Sequence, residues 1–89
     1  MLFFVKVRLD TDRLDELAQR LADGSLDRTP LVSTYCHASD PEVGLNIWRA
    51  EDVADFRRSF APHRPYYRDL VEVRSVITPP EALQLLRRS

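Results

Sequence analysis

A carboxylate and three cations recur at alternate positions of two apolar segments. Lys6 and Arg8 lie two residues apart near the start of the chain, and Glu72 and Arg74 have the same spacing near its end. Such alternation places each pair on one face of a strand. A carboxylate that is held between cations and partly removed from water can act as a general base, while the cations bind an anionic substrate. Glu72 is therefore the candidate catalytic base, and Lys6, Arg8 and Arg74 are candidate substrate-binding residues.

Aromatic and hydrogen-bonding side chains alternate in the same way in two further segments. Tyr35 and His37 form one such pair, and either could donate a proton to a substrate oxygen. Asn46 and Trp48 form the other and offer an amide and a large aromatic wall, to which Phe4 adds a second ring. Each assignment has a structural alternative, because ion pairs and aromatic pairs across neighbouring strands explain the same residue types.

Other residue types that often carry chemistry give fewer indications. Cys36 alternates onto an apolar side, so we expect a small buried hydrophobic residue rather than a nucleophile. His63, with Arg64, Tyr66 and Tyr67, lies in a proline-flanked segment that could border a pocket mouth or serve as a rigid connector. Two glycines allow no glycine-rich phosphate loop, and no Cys/His spacing suits zinc, so we expect no metal and no other cofactor.

The composition limits the class of protein. The 89 residues are 44% hydrophobic and 30% charged, as in a single globular domain. The 13 basic and 14 acidic side chains nearly cancel, so no basic surface attracts nucleic acid. The apolar stretch at the start is too short for a signal sequence or a membrane span. We therefore expect a cytoplasmic protein with neither nucleic-acid nor membrane partners.

Hydrophobic periodicity predicts the elements that position the candidate residues. Period-two alternation predicts strands over residues 2–9, 31–38, 43–49 and 70–78, with a hairpin turn over residues 40–44. Helical spacing predicts a first helix from Leu14 to Leu21, stopped by Gly24, and a second helix through Phe56 and Phe60 that Pro62 ends. Thr78 and Glu81 form a capping box that begins a short C-terminal helix.

The order of these elements predicts an α+β fold of the ferredoxin-like βαββαβ type. Residues 1–89 form one domain, with residues 1–78 as the core and residues 79–89 as the C-terminal helix. Both helices of the core cover one face of a four-stranded antiparallel sheet, in which the first strand lies between the third and the fourth. We expect the covered face to be apolar, made of Phe3, Val5, Val7, Leu9, Val32, Cys36, Val43, Leu45, Ile47, Val71, Val73 and Ile77.

The opposite face is then predicted to carry the chemistry. Its expected members are Phe4, Lys6, Arg8, Ser33, Tyr35, His37, Asn46, Trp48, Glu72 and Arg74. A domain of this size buries a small core, so a second copy that covers this face would stabilise it. Two such faces would enclose a pocket with aromatic walls and a few polar groups, which is typical of small-molecule sites.

Three segments of the sequence resemble muconolactone isomerases, members of the dimeric α+β barrel superfamily. Residues 1–7 are similar to the opening of that family, residues 18–21 to its first helix, and residues 65–73 to the segment that enters its last strand. Phe4 stands where the isomerases have a histidine. The resemblance implies a homodimer or higher homo-oligomer and an isomerase that needs no cofactor. Related bacterial families share the same opening and last strand, and membership of one of them is an equal alternative.

Three functions follow from these observations. The first is binding of a small anionic or aromatic molecule with isomerisation next to a lactone carbonyl, with Glu72 as base and Tyr35 or His37 as proton donor. The second is a non-catalytic dimer whose mixed face is used up by subunit contacts. The third is a cofactor-independent monooxygenase that uses Trp48, Asn46 and His37, since enzymes of the superfamily use these residue types.

Overall fold

The computed structural model describes residues 1–88, so Ser89, the last residue of the predicted C-terminal helix, lies outside the described part. The elements are β1 (Leu2–Leu9), α1 (Leu14–Ala22), β2 (Leu31–His37), β3 (Asp40–Arg49), α2 (Val53–Phe60), β4 (Tyr67–Val76) and α3 (Pro79–Arg88). Short 3-10 turns at Thr11–Arg13 and Arg64–Tyr66 precede α1 and β4. None of the helices within residues 1–88 is long and apolar enough to cross a membrane.

The sheet has the predicted topology. Its strands are antiparallel and follow the order β2-β3-β1-β4, with α1 and α2 on one side. The ferredoxin-like βαββαβ fold with a C-terminal helix is thus confirmed. We call the side under the helices the covered face.

Local hydrogen bonds explain where the helices begin and end. Asp52 caps α2, since its carboxylate accepts a hydrogen bond from the Asp55 amide at 2.8 Å. The predicted capping box is present at α3, where the Thr78 hydroxyl and the Glu81 carboxylate lie 2.9 Å apart. Gly24 follows α1 with a φ angle of 75°, a left-handed conformation that glycine adopts without strain.

Aromatic rings make up most of the core. Phe3, Phe56, Phe60 and Tyr67 stack in one column with centroid distances of 4.6, 5.5 and 5.8 Å. The fully buried indole of Trp48 meets Phe60 edge-on at 5.5 Å. Stacked and edge-to-face pairs are the arrangements that aromatic rings prefer, so this column fixes α2 on the sheet.

The phase of β3 differs from the prediction. Phe3 pairs with Trp48, and Val5 pairs with Asn46, so both β3 side chains lie on the covered face with the core. Leu45 and Ile47, which were expected in the core, pair with Lys6 and Phe4 on the opposite side. The prediction that Asn46 and Trp48 share a face with Lys6 and Glu72 is therefore wrong.

The position of the hairpin turn is the cause of this difference. The turn lies at residues 38–39, and β3 begins at Asp40, where the sequence pattern predicted a turn over residues 40–44. Asp40 and Glu42 have strand conformation, and their carboxylates accept hydrogen bonds from Arg8 at 3.2 and 3.0 Å. The turn-forming residue types are thus used for an ion pair across strands rather than for a turn.

Two valines predicted for the covered face lie at strand irregularities. The pairing of β1 with β4 skips Val71, and the pairing of β2 with β3 skips Val32. Both valines are exposed, because a bulge turns its extra residue away from the regular alternation. Ile77 follows the end of β4 and is also exposed. Val73, by contrast, pairs with Val5 as predicted.

Helix α1 is attached mainly through polar contacts. None of its residues is buried. The Tyr66 hydroxyl donates to Glu16 at 3.0 Å and accepts from Arg20 at 3.0 Å, and the Arg13 guanidinium lies 4.7 Å from the centre of the Tyr66 ring. These contacts lower the pKa of Glu16, with the hydrogen bond from Arg13 as the largest cause and the one from Tyr66 next. Tyr66 is itself buried, so it anchors α1 to the rest of the domain.

Gly44 allows β3 to approach β1 in the observed phase. A Cβ atom at this position would lie 3.0 Å from Cγ2 of Val7, which is buried and has a stiff β-branched side chain. We expect Gly44→Ala to lower the free energy of unfolding by about 1–3 kcal/mol, the usual cost of overpacking. Denaturant unfolding would measure this change.

Introducing Gly44→Ala into a chain with Val7→Ala tests whether the contact with Val7 causes this loss. If the clash with Val7 causes the loss, Gly44→Ala should cost clearly less in a chain that already carries Val7→Ala. An equal cost in both backgrounds would contradict the steric explanation.

Candidate functional site

The structure brings part of the predicted site together on the uncovered side of the sheet. Lys6 pairs with Glu72, and Phe4 pairs with Arg74, so these four predicted neighbours do share one face. We call this side the open face and define it by six residues: Phe4, Lys6, Leu45, Ile47, Glu72 and Arg74. Tyr35 pairs with Leu45 and extends the same face toward β2.

Several of the predicted polar residues already have partners. Arg8 is bound by the two carboxylates of the hairpin, and the hydrogen bond to Asp40, more than the one to Glu42, raises its pKa. Glu72 forms an ion pair with Arg74 on its own strand. The His37 Nδ1 lies 2.9 Å from the Ser39 hydroxyl in the exposed turn. Within residues 1–88, Lys6 has no ion-pair partner.

A cavity of about 200 Å³ lies between α1 and the covered face. We call it the inter-layer pocket. Leu17 and Leu21 of α1 form its roof, while Val7 and Leu31 belong to its apolar floor. Its polar lining comes from several elements and consists of Arg28, Thr34, Asn46, His63 and Tyr67. Cys36 also lines the pocket, but the prediction that it is buried is wrong, because it lies exposed near the end of the edge strand β2. Polar groups thus converge inside an otherwise apolar cavity, which is the usual composition of a small-molecule site.

Asn46 is held in a fixed orientation in this pocket. It is only 4% exposed, and its Oδ1 accepts a hydrogen bond from the Thr34 hydroxyl at 2.6 Å. Burial raises the pKa of the Tyr67 hydroxyl, and a hydrogen bond with Asn46 opposes this rise. Tyr67 therefore stays protonated at neutral pH and can donate a hydrogen bond.

His63 supplies a buried imidazole to the same pocket. It is 4% exposed, and its Nε2 lies 2.7 Å from the Asp27 carbonyl oxygen. A carbonyl can only accept, so Nε2 carries the proton and Nδ1 keeps a free electron pair. Burial lowers the pKa of His63, against the opposing effect of the Asp27 carbonyl. The ring is therefore neutral at neutral pH, as a general base must be.

Trp48 supports the pocket from the core side. Its ring meets the His63 ring edge-on with 4.8 Å between centroids, so it limits the orientation of the imidazole. The buried Trp48 Nε1 has no hydrogen-bond partner within residues 1–88. Trp48 itself does not line the pocket. It was predicted to form a wall of the mixed face, but it packs behind His63 instead.

Sequence reasoning placed His63 at a pocket border but did not join it to Asn46. The structure brings these two residues into one cavity, together with Tyr67 of the same segment and with Thr34 and Arg28, which were not among the candidates. The alternation in β2 did contain a signal for Thr34, since it stands two residues before Cys36 on the covered face. Tyr67 was expected in the loop beside His63, but it is the first residue of β4, which begins three residues earlier than predicted.

No group of three or more His, Cys, Asp or Glu side chains that could hold a metal ion occurs among residues 1–88.

Comparisons with known proteins support the fold. No protein-family model and no curated protein matches the sequence. Among solved structures, the chain is similar to 5-chloro-2-hydroxyhydroquinone dehydrochlorinase from Burkholderia phenoliruptrix AC1100, solved with 2,5-dihydroxybenzoquinone. The TM-score is 0.60 at 15% identity, covering 91% of this chain and 98% of the other.

A second similar structure comes from Chloroflexus aurantiacus J-10-fl and is assigned to the antibiotic biosynthesis monooxygenases. The TM-score is 0.50 at 17% identity, with 86% of this chain and 90% of the other covered. At these identities the likeness concerns the fold alone. The chain therefore shares its ferredoxin-like βαββαβ fold, which the sequence predicted, with these two proteins.

The lowered pKa of His63 predicts a pH dependence of stability. The folded state binds a proton on His63 more weakly than the unfolded chain does. Neutral His63 therefore contributes to the free energy of unfolding above about pH 6.5. This contribution is lost as the pH falls through the pKa of the folded state. We expect the free energy of unfolding to fall by about 1.4 kcal/mol for each tenfold difference in proton affinity between the two states. Denaturant unfolding between about pH 7.5 and pH 5 measures this loss.

His63→Gln should remove most of this dependence, because glutamine can still donate to the Asp27 carbonyl but does not titrate in this range. His37→Gln, at the exposed turn, is the matched control and should leave it in place. An unchanged pH dependence in His63→Gln would show that other groups cause it.

Proposed function

We propose that this protein binds a small oxygenated ring in the inter-layer pocket and catalyses a proton transfer on it without a bound cofactor. One observation carries the proposal: His63 is buried and neutral, its Nε2 is fixed by the Asp27 carbonyl, and it shares the cavity with the Tyr67 hydroxyl. A base and a donor in one apolar cavity are the minimum equipment for acid–base catalysis.

The size of the pocket supports a ligand of one ring. Its volume of about 200 Å³ lies below the range of about 300–1,000 Å³ that drug-sized ligands occupy. The dehydrochlorinase of similar fold was solved with 2,5-dihydroxybenzoquinone, which is a one-ring molecule with hydroxyl and carbonyl oxygens. Arg28 in the pocket lining would favour a ligand that carries negative charge.

The chemistry follows from the positions of three groups. In the proposed step, His63 Nδ1 takes a proton from a ring hydroxyl or from a carbon next to a carbonyl. Negative charge that develops on the ligand oxygen is stabilised by hydrogen bonds from Tyr67 and the Asn46 amide in an apolar cavity. The leucine roof of α1 limits water around the reacting atoms.

This proton transfer is common to the reactions that the resemblance and the comparisons suggest. An isomerisation like that of muconolactone isomerase moves a proton, and the same deprotonated ring is the form that a cofactor-independent monooxygenase would oxidise. For the second reaction, the sequence suggested His37 beside Asn46 and Trp48. We assign that place to His63, since His37 lies in the exposed turn and His63 contacts Trp48.

A second candidate site is the open face, with the catalytic base and the anion-binding residue that the sequence analysis assigned to it. Glu72 would act as the base of a lactone isomerase, with Lys6 as the anchor for a substrate carboxylate. The observation that favours it is that Lys6 lies opposite Glu72 in the register and has no ion-pair partner within residues 1–88. This site requires a second copy of the chain to enclose the face, because Tyr35 beside it is 69% exposed.

We further propose that the protein is a homodimer in the cytoplasm and that the open face is the subunit contact. Leu45, Ile47 and Phe4 place apolar surface beside the charged pairs of this face. A non-catalytic dimer would share this contact. The proposed enzyme and a non-catalytic dimer therefore differ only in whether the inter-layer pocket catalyses a reaction.

Proton exchange into a bound ligand tests the proposed function directly. Hydroxyhydroquinone and muconolactone would be incubated with the protein in heavy water, and deuterium incorporation would be followed by NMR. We expect His63→Gln to slow incorporation about 100-fold or more, the usual contribution of a general base. Because the pKa of His63 is lowered, exchange should stay constant from neutral pH into mild acid and fall only below about pH 6.5.

Two matched variants separate the candidate bases. His37→Gln removes an exposed histidine and should exchange like the wild type, while Glu72→Gln should do so only if the inter-layer pocket is the site. A loss in Glu72→Gln but not in His63→Gln would move the function to the open face. Absence of exchange for every ligand with the wild type would favour the non-catalytic dimer.

A charge placed on the open face tests the proposed dimer. Ile47→Lys should reduce the molar mass in solution from that of a dimer to that of a monomer, because a buried unpaired lysine is costly. Light scattering after size exclusion measures the mass. Ala54→Lys on the exposed side of α2 is the control and should stay dimeric. A wild type that is monomeric at micromolar concentration would contradict the proposal.

A further inference from the structure

A second and larger cavity, of about 800 Å³, lies on the covered face between α2 and β4. We call it the α2–β4 groove. Phe3, Phe56 and Phe60 line it from the core side, and Leu70 and Val73 line it from β4. Leu70 and Val73 are exposed, so α2 leaves this part of β4 uncovered.

The apolar surface of this groove is in contact with water. Val53 is 46% exposed, Leu70 41% and Val73 40%, although these residues flank the buried phenylalanines of the core. A contiguous apolar surface that a monomer leaves open is a mark of a binding site. The stacked rings of Phe56, Phe60 and Tyr67 give the groove a rigid wall.

The lining of the groove combines an apolar surface with two cations. The apolar surface includes Phe3 and Phe56, which stack at 4.6 Å, together with Val53. The cations are the guanidinium groups of Arg57 on α2 and Arg64 in the turn that follows it. Among the described residues that line the groove, none is acidic. Such an arrangement is complementary to a molecule with an apolar body and one anionic head.

Arg57 and Arg64 both have hydrogen-bond donors that can bind a ligand. No ion pair to Arg57 occurs among residues 1–88, and Arg64 uses one nitrogen, at 2.6 Å from the Tyr67 carbonyl oxygen. A guanidinium presents five donors in a fixed plane and binds a carboxylate in a forked manner. Arg58 on the same helix differs, because its guanidinium is bound to Asp55 at 2.7 Å.

We propose that the α2–β4 groove is a second ligand site, which binds an elongated aliphatic carboxylate. The alkyl body lies along the phenylalanine column, and the carboxylate lies between Arg57 and Arg64. Eight residues of α2 span about 12 Å at 1.5 Å per residue, a length that a medium-chain fatty acid such as decanoate can follow. The ligand is thus distinct in chemistry from the small ring assigned to the inter-layer pocket.

Tyr67 separates the two sites. Its ring stacks on Phe60 at the groove, while burial beside Asn46 affects its hydroxyl on the pocket side. A ligand in the groove therefore contacts the ring and leaves the hydroxyl free for the inter-layer pocket. The site does not depend on the proposed proton transfer.

Titration of the full-length protein with decanoate, below its micelle concentration, tests the proposal. Trp48 is the only tryptophan, and its ring meets Phe56 and Phe60, which line the groove, so its fluorescence should report binding. Isothermal titration calorimetry gives the stoichiometry independently. We expect one saturable site per chain for decanoate and weaker binding of 1-decanol, which has the same body without the charge.

Three arginine variants test the role of the two cations. Arg57→Gln and Arg64→Gln should each weaken decanoate binding about tenfold, as expected for one charge-assisted contact, and should leave decanol binding unchanged. Arg58→Gln is the matched control and should bind decanoate like the wild type. Equal losses in all three variants, or equal affinities for decanoate and decanol, would overturn the proposal.

Two further variants separate this site from its alternatives. Leu21→Phe narrows the inter-layer pocket and should not affect decanoate binding, so a loss in this variant would place the ligand in that pocket instead. Leu70→Arg should block the groove without changing the molar mass in solution. If it converts a dimer into a monomer, the groove is a subunit contact and the proposal is wrong.

Discussion

The direction of the Trp48 side chain determines most of the remaining structure. The indole packs edge-on against Phe60 and His63, and this position is available only if even-numbered residues of β3 face the helices. The same alternation brings Asn46 under α1 and requires a glycine at position 44. It also turns Leu45 and Ile47 away from the core. One large ring thus places Asn46 in the pocket on one side of the sheet and two aliphatic side chains among the charged residues on the other.

The covered face holds two cavities, one between α1 and the sheet and one between α2 and β4. Under α1 several polar groups converge in an otherwise apolar lining, with Asn46 fixed by Thr34. Beside α2 the lining is apolar except for its two arginines. Tyr67 belongs to both linings and presents its ring to one cavity and its hydroxyl to the other. A single side chain therefore divides the face into two chemically different environments.

The fold could be predicted from the sequence because its signals are local. Capping groups such as Asp52 and Thr78, and the left-handed Gly24, act within a few residues of themselves. The phase of β3 could not be predicted, because residues 40–44 have turn composition and only the distant Arg8 makes strand the better conformation for them. The inter-layer pocket could not be predicted for the same reason, since the sequence pattern placed Asn46 on the opposite face of the sheet. On the open face, Lys6 lies opposite Glu72 as predicted, whereas Leu45 and Ile47 take the places that the sequence pattern gave to Asn46 and Trp48.

The attachment of α1 through Tyr66 has a consequence for access to the inter-layer pocket. The hydrogen bond of Arg13 with Glu16 is exposed, and that of Arg20 with Tyr66 is only partly buried, so dissolved ions screen these charges. The roof of the pocket can therefore open in a local fluctuation that costs much less free energy than global unfolding. Its amide hydrogens will exchange with solvent sooner than those of β1. Molecules will then exchange between the pocket and solvent faster as the ionic strength rises, while the sheet below stays intact.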